Sequence, residues 1–292
     1  MKRCEKDRKK APHYITIANL TSAVTKQNKM KFGVHQASKI GGRKYNQDRV
    51  GYSYSDEALL LVLADGMGGH LHGEVAAQIA VLTYMRSFAQ VATPRLADPY
   101  NFLREVMLQA HHEILRFAKE QNLGGNPGTT CVAAVVQDDQ VWCAHAGDSR
   151  FYLMRDDAVV EVTHDHSVVQ QWLDLDIIKA SELKTHPDRN KITNCLGGVE
   201  DMFYAESSQP VKIQSGDVVL LCSDGLWSPL QDTEMAKAFT TSPLSRLEEL
   251  IDLSIKREGS RADNSTALVV RWGEDEIDHQ TELPVAVVLD YR

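Results

Sequence analysis

Two stretches of this 292-residue chain end in the same way: LLLVLADG at 59–66 and VVLLCSDG at 218–225. Each is an apolar run of strand length that stops at an acid and a glycine. Such a run, bounded by turn residues, reads as a strand covered on both faces. A fold that accepts two of them must be layered, and it must leave Asp65 and Asp224 at the ends of buried strands. The glycine after each acid reads as a turn that swings a backbone carbonyl toward the same place as the carboxylate.

The remaining pattern supplies the layers. KFGVHQAS, RVGYSYS and ALLLVLA, within 31–64, alternate as three strands joined by polar turns. Residues 73–90 and 98–121 have helical apolar spacing, the second starting with Asp98 as N-cap and Pro99 in the first turn. Glycines and a proline break the pattern at 122–130. Four strands follow at 130–137, 140–146, 150–155 and 158–163, with QDDQ and RDDA reading as hairpin turns. Residues 167–197 are polar with short helical stretches. Strands are expected at 202–208, 216–223 and 265–272, and helices at TEMAKAF and PLSRLEELIDLSIKREG. Strands and helix pairs in blocks do not suit the βα alternation of a parallel sheet. They predict an α+β, αββα sandwich of two mainly antiparallel sheets flanked by helix pairs, one domain over 31–273.

Charge and cysteines narrow the partners. The total is −8, but residues 1–30 hold eight Lys/Arg against Glu5 and Asp7, a net of +6 that leaves −14 for the rest. An acidic domain argues against nucleic acid or an anionic membrane as the main partner. The basic start lacks the apolar core of a secretion signal, so 1–30 reads as an extension without structure of its own, with a docking role as the alternative. Five scattered cysteines (4, 131, 143, 195, 222) without CxxC spacing indicate a reducing compartment and no structural zinc. No apolar run reaches the ~20 residues of a membrane span. A cytoplasmic location is expected.

Asp48, Asp148 and Asp263 also sit beside predicted strand ends, in YNQDRV, AGDSRF and RADNST. Any single Asp-Gly is ordinary turn chemistry. Five acids at the mouths of buried strands are another matter, because clustered carboxylates repel unless cations neutralise them. All-oxygen ligands select hard ions such as Mg²⁺ or Mn²⁺, and a pair about 3.5–4 Å apart would activate water for phosphoester hydrolysis. Arg43, five residues before Asp48, carries the side chain best shaped to hold a phosphate.

RKYNQD (43–48), ADGMGGHLHGE (64–74), NPGTT (126–130), AGDSRFYL (146–153), THDHS (163–167), HPDRNKITNCLGG (186–198), CSDGLW (222–227) and DNST (263–266) occur in an order that resembles bacterial PP2C-type phosphatases. These are the metal-dependent serine/threonine protein phosphatases. The resemblance covers about 31–273. It implies two Mn²⁺ or Mg²⁺ ions, with Asp65 bridging them and the Gly66 carbonyl binding one. Asp224 and Asp263 would be further ligands, and Asp48 a ligand directly or through water. Asp148 with Asp224 would hold a third, weaker ion, and Arg43 would position the phosphate. A metal-bridging water would attack phosphorus directly, so Ser149, Ser223 and the cysteines need not be nucleophiles. The implied partners are phosphorylated proteins and a cognate Ser/Thr kinase, with the enzyme a monomer.

The sequence departs from the animal-type pattern at Met67, where those enzymes carry a histidine proposed to protonate the leaving group. His70 and a metal-bound water are the alternatives for that acid. His72 reads as a helix-entry residue, and His164, His166 and His186 as structural. Residues 167–190 resemble the flap over the substrate side. The glycine usual near its middle is missing, and Asp174 or Asp176 stands in its place. Residues 274–292 form a tail lying on the domain, or a docking segment because VAVVL is strongly apolar. The other functions weighed are a phosphatase of other phosphoesters and an inactive phosphoprotein-binding relative. The inactive reading expects a lost ligand acid, and none is lost.

Overall fold

The computed structural model describes residues 30–67, 72–123, 125–198, 203–240 and 244–273. The expectations for the basic extension, the C-terminal tail and His70 fall outside them.

The strands are β1 (Phe32–Lys39), β2 (Asp48–Tyr54), β3 (Ala58–Met67), β4 (Gly128–Thr129), β5 (Cys131–Gln137), β6 (Gln140–Ala146), β7 (Arg150–Arg155), β8 (Ala158–Val162), β9 (Leu196–Gly197), β10 (Glu206–Ser207), β11 (Val211–Lys212), β12 (Val218–Cys222) and β13 (Ser265–Trp272). The helices are α1 (Gly73–Val91), α2 (Pro99–Glu120), α3 (Val168–Asp174), α4 (Asp224–Trp227), α5 (Asp232–Thr240) and α6 (Arg246–Glu258). One sheet runs β1-β13-β12-β7-β8. The other runs β10-β6-β5-β3-β4-β9, with β11 on β6 and β2 on β3. The pairings of the described strands are antiparallel.

Period-two alternation divides the core into three layers. In β3, Leu59, Leu61 and Leu63 face the other sheet and pack with Leu153, Val219, Leu221 and Val270. Leu60, Val62 and Ala64 face the opposite way, against Ala77, Tyr84, Met107 and Ile114 of α1 and α2. In β12, Val218, Leu220 and Cys222 meet Phe239, Leu247 and Ile251 of α5 and α6. Residues 58–64 are all fully buried; a leucine so covered contributes about 1.5–3 kcal/mol. The result is the expected αββα sandwich.

Local signals account for the edges. Asp98 accepts a hydrogen bond from the Asn101 N–H (3.0 Å), and Pro99 opens α2. Both two-residue hairpins place paired aspartates at positive φ, Asp138 and Asp139 at 52° and 54°, Asp156 and Asp157 at 49° and 63°. That is the geometry which matches strand twist. His72 precedes α1 with φ 89° and is its entry residue. Two expectations are corrected. The strand at 202–208 is reduced among the described residues to the pair Glu206–Ser207, because it meets only the end of β6. After Asp224 the chain does not simply turn; it winds one helical turn, α4.

Candidate metal centre

Asp48 opens β2 directly opposite Asp65 of β3. Cross-strand partners share a face, so the register sets two carboxylates side by side, a costly pairing without a cation. Asp65 is fastened through its backbone. Its N–H donates to Thr130 Oγ1 (3.0 Å), and its carbonyl accepts from Thr130 N–H (2.8 Å) and Thr129 Oγ1 (2.9 Å). Asp48 Oδ2 accepts from Ser223 Oγ (2.9 Å), the residue before Asp224.

The two Asp-Gly glycines work differently from the turn reading. Neither has a positive φ. Each is needed because another backbone passes too close for a Cβ. A Cβ on Gly66 would lie 2.3 Å from the Gly73 carbonyl oxygen and 2.9 Å from that of Gln47; one on Gly225 would lie 2.1 Å from that of Asn264. Gly66 therefore admits the start of α1 and, beside it, the segment carrying Asp48, and Gly225 admits the segment carrying Asp263 beside Asp224. Asn264 fixes the last element. Its Nδ2 donates to the carbonyls of Ile40 and Tyr45 (both 2.9 Å), and its Oδ1 accepts from Gln47 N–H (2.9 Å). The loop holding Arg43 is thereby tied to β13.

Asp148 follows β6, and its carbonyl accepts from Trp227 Nε1 (2.9 Å). The Arg150 guanidinium lies 3.5 Å above the Trp227 ring and pairs with both oxygens of Asp165 (2.8 Å each). Arg43 is placed on Asp263 (Nη2 to Oδ2, 2.5 Å) with its side chain 55% exposed.

Four of these acids resist ionisation. Burial pushes Asp48 up to about 6, with Asp263 adding to it. Burial and then Asp165 push Asp148 up to about 7. Asp65 and Asp224 are held well above the carboxylate range, first by burial and then by the other aspartates. Asp48 Oδ1 and Asp224 Oδ1 are buried with no hydrogen-bond partner among the described residues. Orphaned, mutually repelling carboxylate oxygens are the donor set that hard divalent cations satisfy.

The structure thus brings Asp48, Asp65, Gly66, Asp148, Asp224, Asp263 and Arg43 into one neighbourhood. It adds Thr129, Thr130, Ser223, Trp227 and Asn264, whose roles the sequence reading did not assign although each lies within a quoted motif. Among the described residues His145, His166 and Glu206 also converge, with ligand atoms within 4.8 Å. They do not suit a metal. The two rings stack 4.4 Å apart at 15°, so their in-plane lone pairs cannot aim at one point. His166 Nδ1 accepts from Gly147 N–H (3.1 Å) and Asn194 Nδ2 (3.0 Å), which leaves the proton on Nε2 to donate to Glu206 (2.9 Å). His164 bonds to Asp174 and Gln170 (both 3.0 Å). Both histidines are structural, as expected.

The family model for protein phosphatase 2C matches residues 35–256. The serine/threonine phosphatase stp of Listeria monocytogenes is 34% identical over 233 residues, 78% of this chain and 90% of that protein. The crystal structure of the Mycobacterium tuberculosis serine/threonine phosphatase PstP/Ppp superposes with a TM-score of 0.73 at 29% identity, covering 82% of this chain and 98% of that one. The PstP catalytic domain in complex with two manganese ions gives 0.71 at 26% identity, covering 83% and 98%.

Proposed function

We propose, from the premise that this chain belongs to the protein phosphatase 2C family, that it is a metal-dependent phosphoserine/phosphothreonine protein phosphatase whose centre is the aspartate cluster. The observation that carries the reading is the pair of buried, unpartnered oxygens, Asp48 Oδ1 and Asp224 Oδ1, among acids that burial and each other hold back from ionising.

Asp65 and the Gly66 carbonyl, with Asp48, Asp224 and Asp263, would hold two Mn²⁺ or Mg²⁺ ions; Asp148 and Asp224 would hold a third more weakly. PstP with two manganese ions supports the count of two. Bound divalent cations supply neutralising charge and make water a competent nucleophile near neutral pH. The chain's residues do the rest. Thr129 and Thr130 fix the backbone of Asp65, Ser223 orients Asp48, and Arg43, half exposed at the rim, binds and orients the substrate phosphate.

Side-chain nucleophiles are poorly placed. Ser149 and Ser223 are buried at 1% and 0% exposure and hydrogen-bonded to Thr130 and Asp48. Cys131, Cys143 and Cys222 are buried with thiols pushed up by desolvation. This supports direct hydrolysis without a phosphoenzyme. All five aspartates are present, which argues against an inactive phosphoprotein-binding relative.

We assign the phosphatase domain to 31–273 and the flap to 167–190. Among the described residues no helix is long and apolar enough to cross a membrane. The partners proposed are phosphorylated proteins and a cognate Ser/Thr kinase, acted on by a cytoplasmic monomer. The test is release of phosphate from a phosphothreonine peptide with Mn²⁺, with EDTA, and by Asp224→Asn. Turnover with Mn²⁺ alone is expected. Turnover that survives EDTA or the substitution would overturn the reading.

A further inference from the structure

The flap is closed at its base. Ser167 bridges to Ile192, Val168 N–H donates to the Lys191 carbonyl (2.9 Å), and Thr193 N–H to that of His166 (2.8 Å). Asn194, beyond the base, bonds back to the His166 ring. His166 in turn holds Gly147 from both sides, accepting its N–H on the ring and donating its own N–H to the carbonyl (3.0 Å). The base is therefore continuous with the loop that carries Asp148.

The far end is attached differently. Past α3 the chain turns at Asp176, at φ 56°, and exposes Leu175 and Ile177. It returns to the body at Lys184. The ammonium donates to the carbonyls of Trp227 (3.2 Å) and Leu230 (2.5 Å) and stands 5.9 Å from the Trp227 ring. Those carbonyls end α4 and the residues after it, where helical partners run out. Trp227 is also the residue that fixes Asp148, and Asp224 is the first residue of α4. Between flap and body lies a narrow cavity with Lys184 and Arg189 on one side and Asp148 and Asp224 on the other.

We propose that Lys184 is a strap that holds the flap down over the Asp148–Asp224 side of the cleft, a positioning residue that sets how a protein substrate is admitted. The inference rests on the phosphatase reading for its effect on substrate, though not for the strap itself. An ammonium on two carbonyls is a charge-assisted contact, strong enough to hold a short loop and weak enough to release it. Its foundation is stiff because Arg150 and Asp165 brace the Trp227 ring from beneath. Flap and rim acids thus share one footing.

The experiment compares wild type, Lys184→Gln and Lys184→Arg in the full chain by hydrogen exchange of residues 168–185. It also measures kcat and KM on a phosphothreonine peptide and on 4-nitrophenyl phosphate with Mn²⁺. Lys184→Gln is expected to raise exchange across the flap and to raise the peptide KM by about tenfold, the equivalent of one lost charged hydrogen bond. It should leave turnover of the small aryl ester within about twofold, since that substrate does not need the flap. Lys184→Arg should restore both. Unchanged flap exchange in Lys184→Gln overturns the strap, and so does an equal loss on both substrates. A wild type inactive on both substrates would sink the phosphatase reading, while the exchange data would still decide the strap.

Discussion

The acids of the cleft are held in two different ways. Asp48 and Asp65, on its floor, are set by the β2–β3 register and by backbone bonds to Thr129 and Thr130. Asp148 and Asp224, toward the flap, are set by a side-chain relay through Trp227 and a single helical turn. A sheet register cannot shift by one residue without turning a whole strand inside out. A relay of side chains can yield locally. The floor is therefore the stiffer part of the site, and the rim the part that shares a footing with the flap.

The sharpest way to break this contrast is substitution on each side. Asp65→Asn should lower kcat by about a thousandfold, since several kcal/mol of charge stabilisation go with it. Asp148→Asn should cost only about tenfold; equal losses in phosphate release would erase the distinction. Next in size is Gly225→Ala. Its Cβ would collide with the Asn264 backbone and force Asp263 from Asp224, at about 1–3 kcal/mol of stability in urea unfolding. A neutral result would show that the close approach is not needed. Trp227→Phe should cost about 1 kcal/mol by removing the bond to the Asp148 carbonyl while keeping a ring for Arg150 to cover. In Mn²⁺ titrations it should weaken the third ion proposed at Asp148 and Asp224 and leave the two proposed at Asp48 and Asp65 in place.

The remaining effect is one of pH. Burial raises Asp148 to about 7, and Asp65 and Asp224 well above the usual range, so the folded chain without cations binds more protons than the unfolded one. Stability should then fall as pH rises from 6.5 to 8 in EDTA, and Mn²⁺ should recover it at pH 8. His145, which burial and His166 keep neutral down to about 4 in the folded chain, works weakly the other way, by about 0.4 kcal/mol at pH 6.5, because its unfolded counterpart is half protonated there. Thermal melting that is flat across it without cations would refute the account.

The strands and long helices were legible because alternation and capping are local: Asp98 and Pro99 mark α2, and the Asp pairs mark both hairpins. The five acids were legible too, each at or beside a strand end, except that β3 does not stop at Asp65 but runs on through Gly66 to Met67 and pairs there with β4. What brings them together was not. The pairing of Asp48 with Asp65 is a matter of register between strands. Gly66 and Gly225 looked like turn glycines because the sequence does not display the backbone that crosses them. Asp176 was one of two candidates for the missing flap glycine, and only the backbone singles it out, at φ 56°. Trp227 and Lys184 meet across 43 residues, a contact no periodicity announces.

The pairing of β13 between β1 and β12 has a consequence in time. A nascent chain emerges with Asp48 and Asp65 long before Asp263 and Asn264, and β1 has no neighbour in its sheet until β13 arrives. For that whole interval Arg43 lacks Asp263, and the loop around it lacks the Asn264 side chain. A chain that stops short of β13 lacks Asp263, Asn264 and the neighbour of β1, and is expected to release no phosphate. A prematurely terminated fragment would carry most of the acids and none of the hydrolytic capacity.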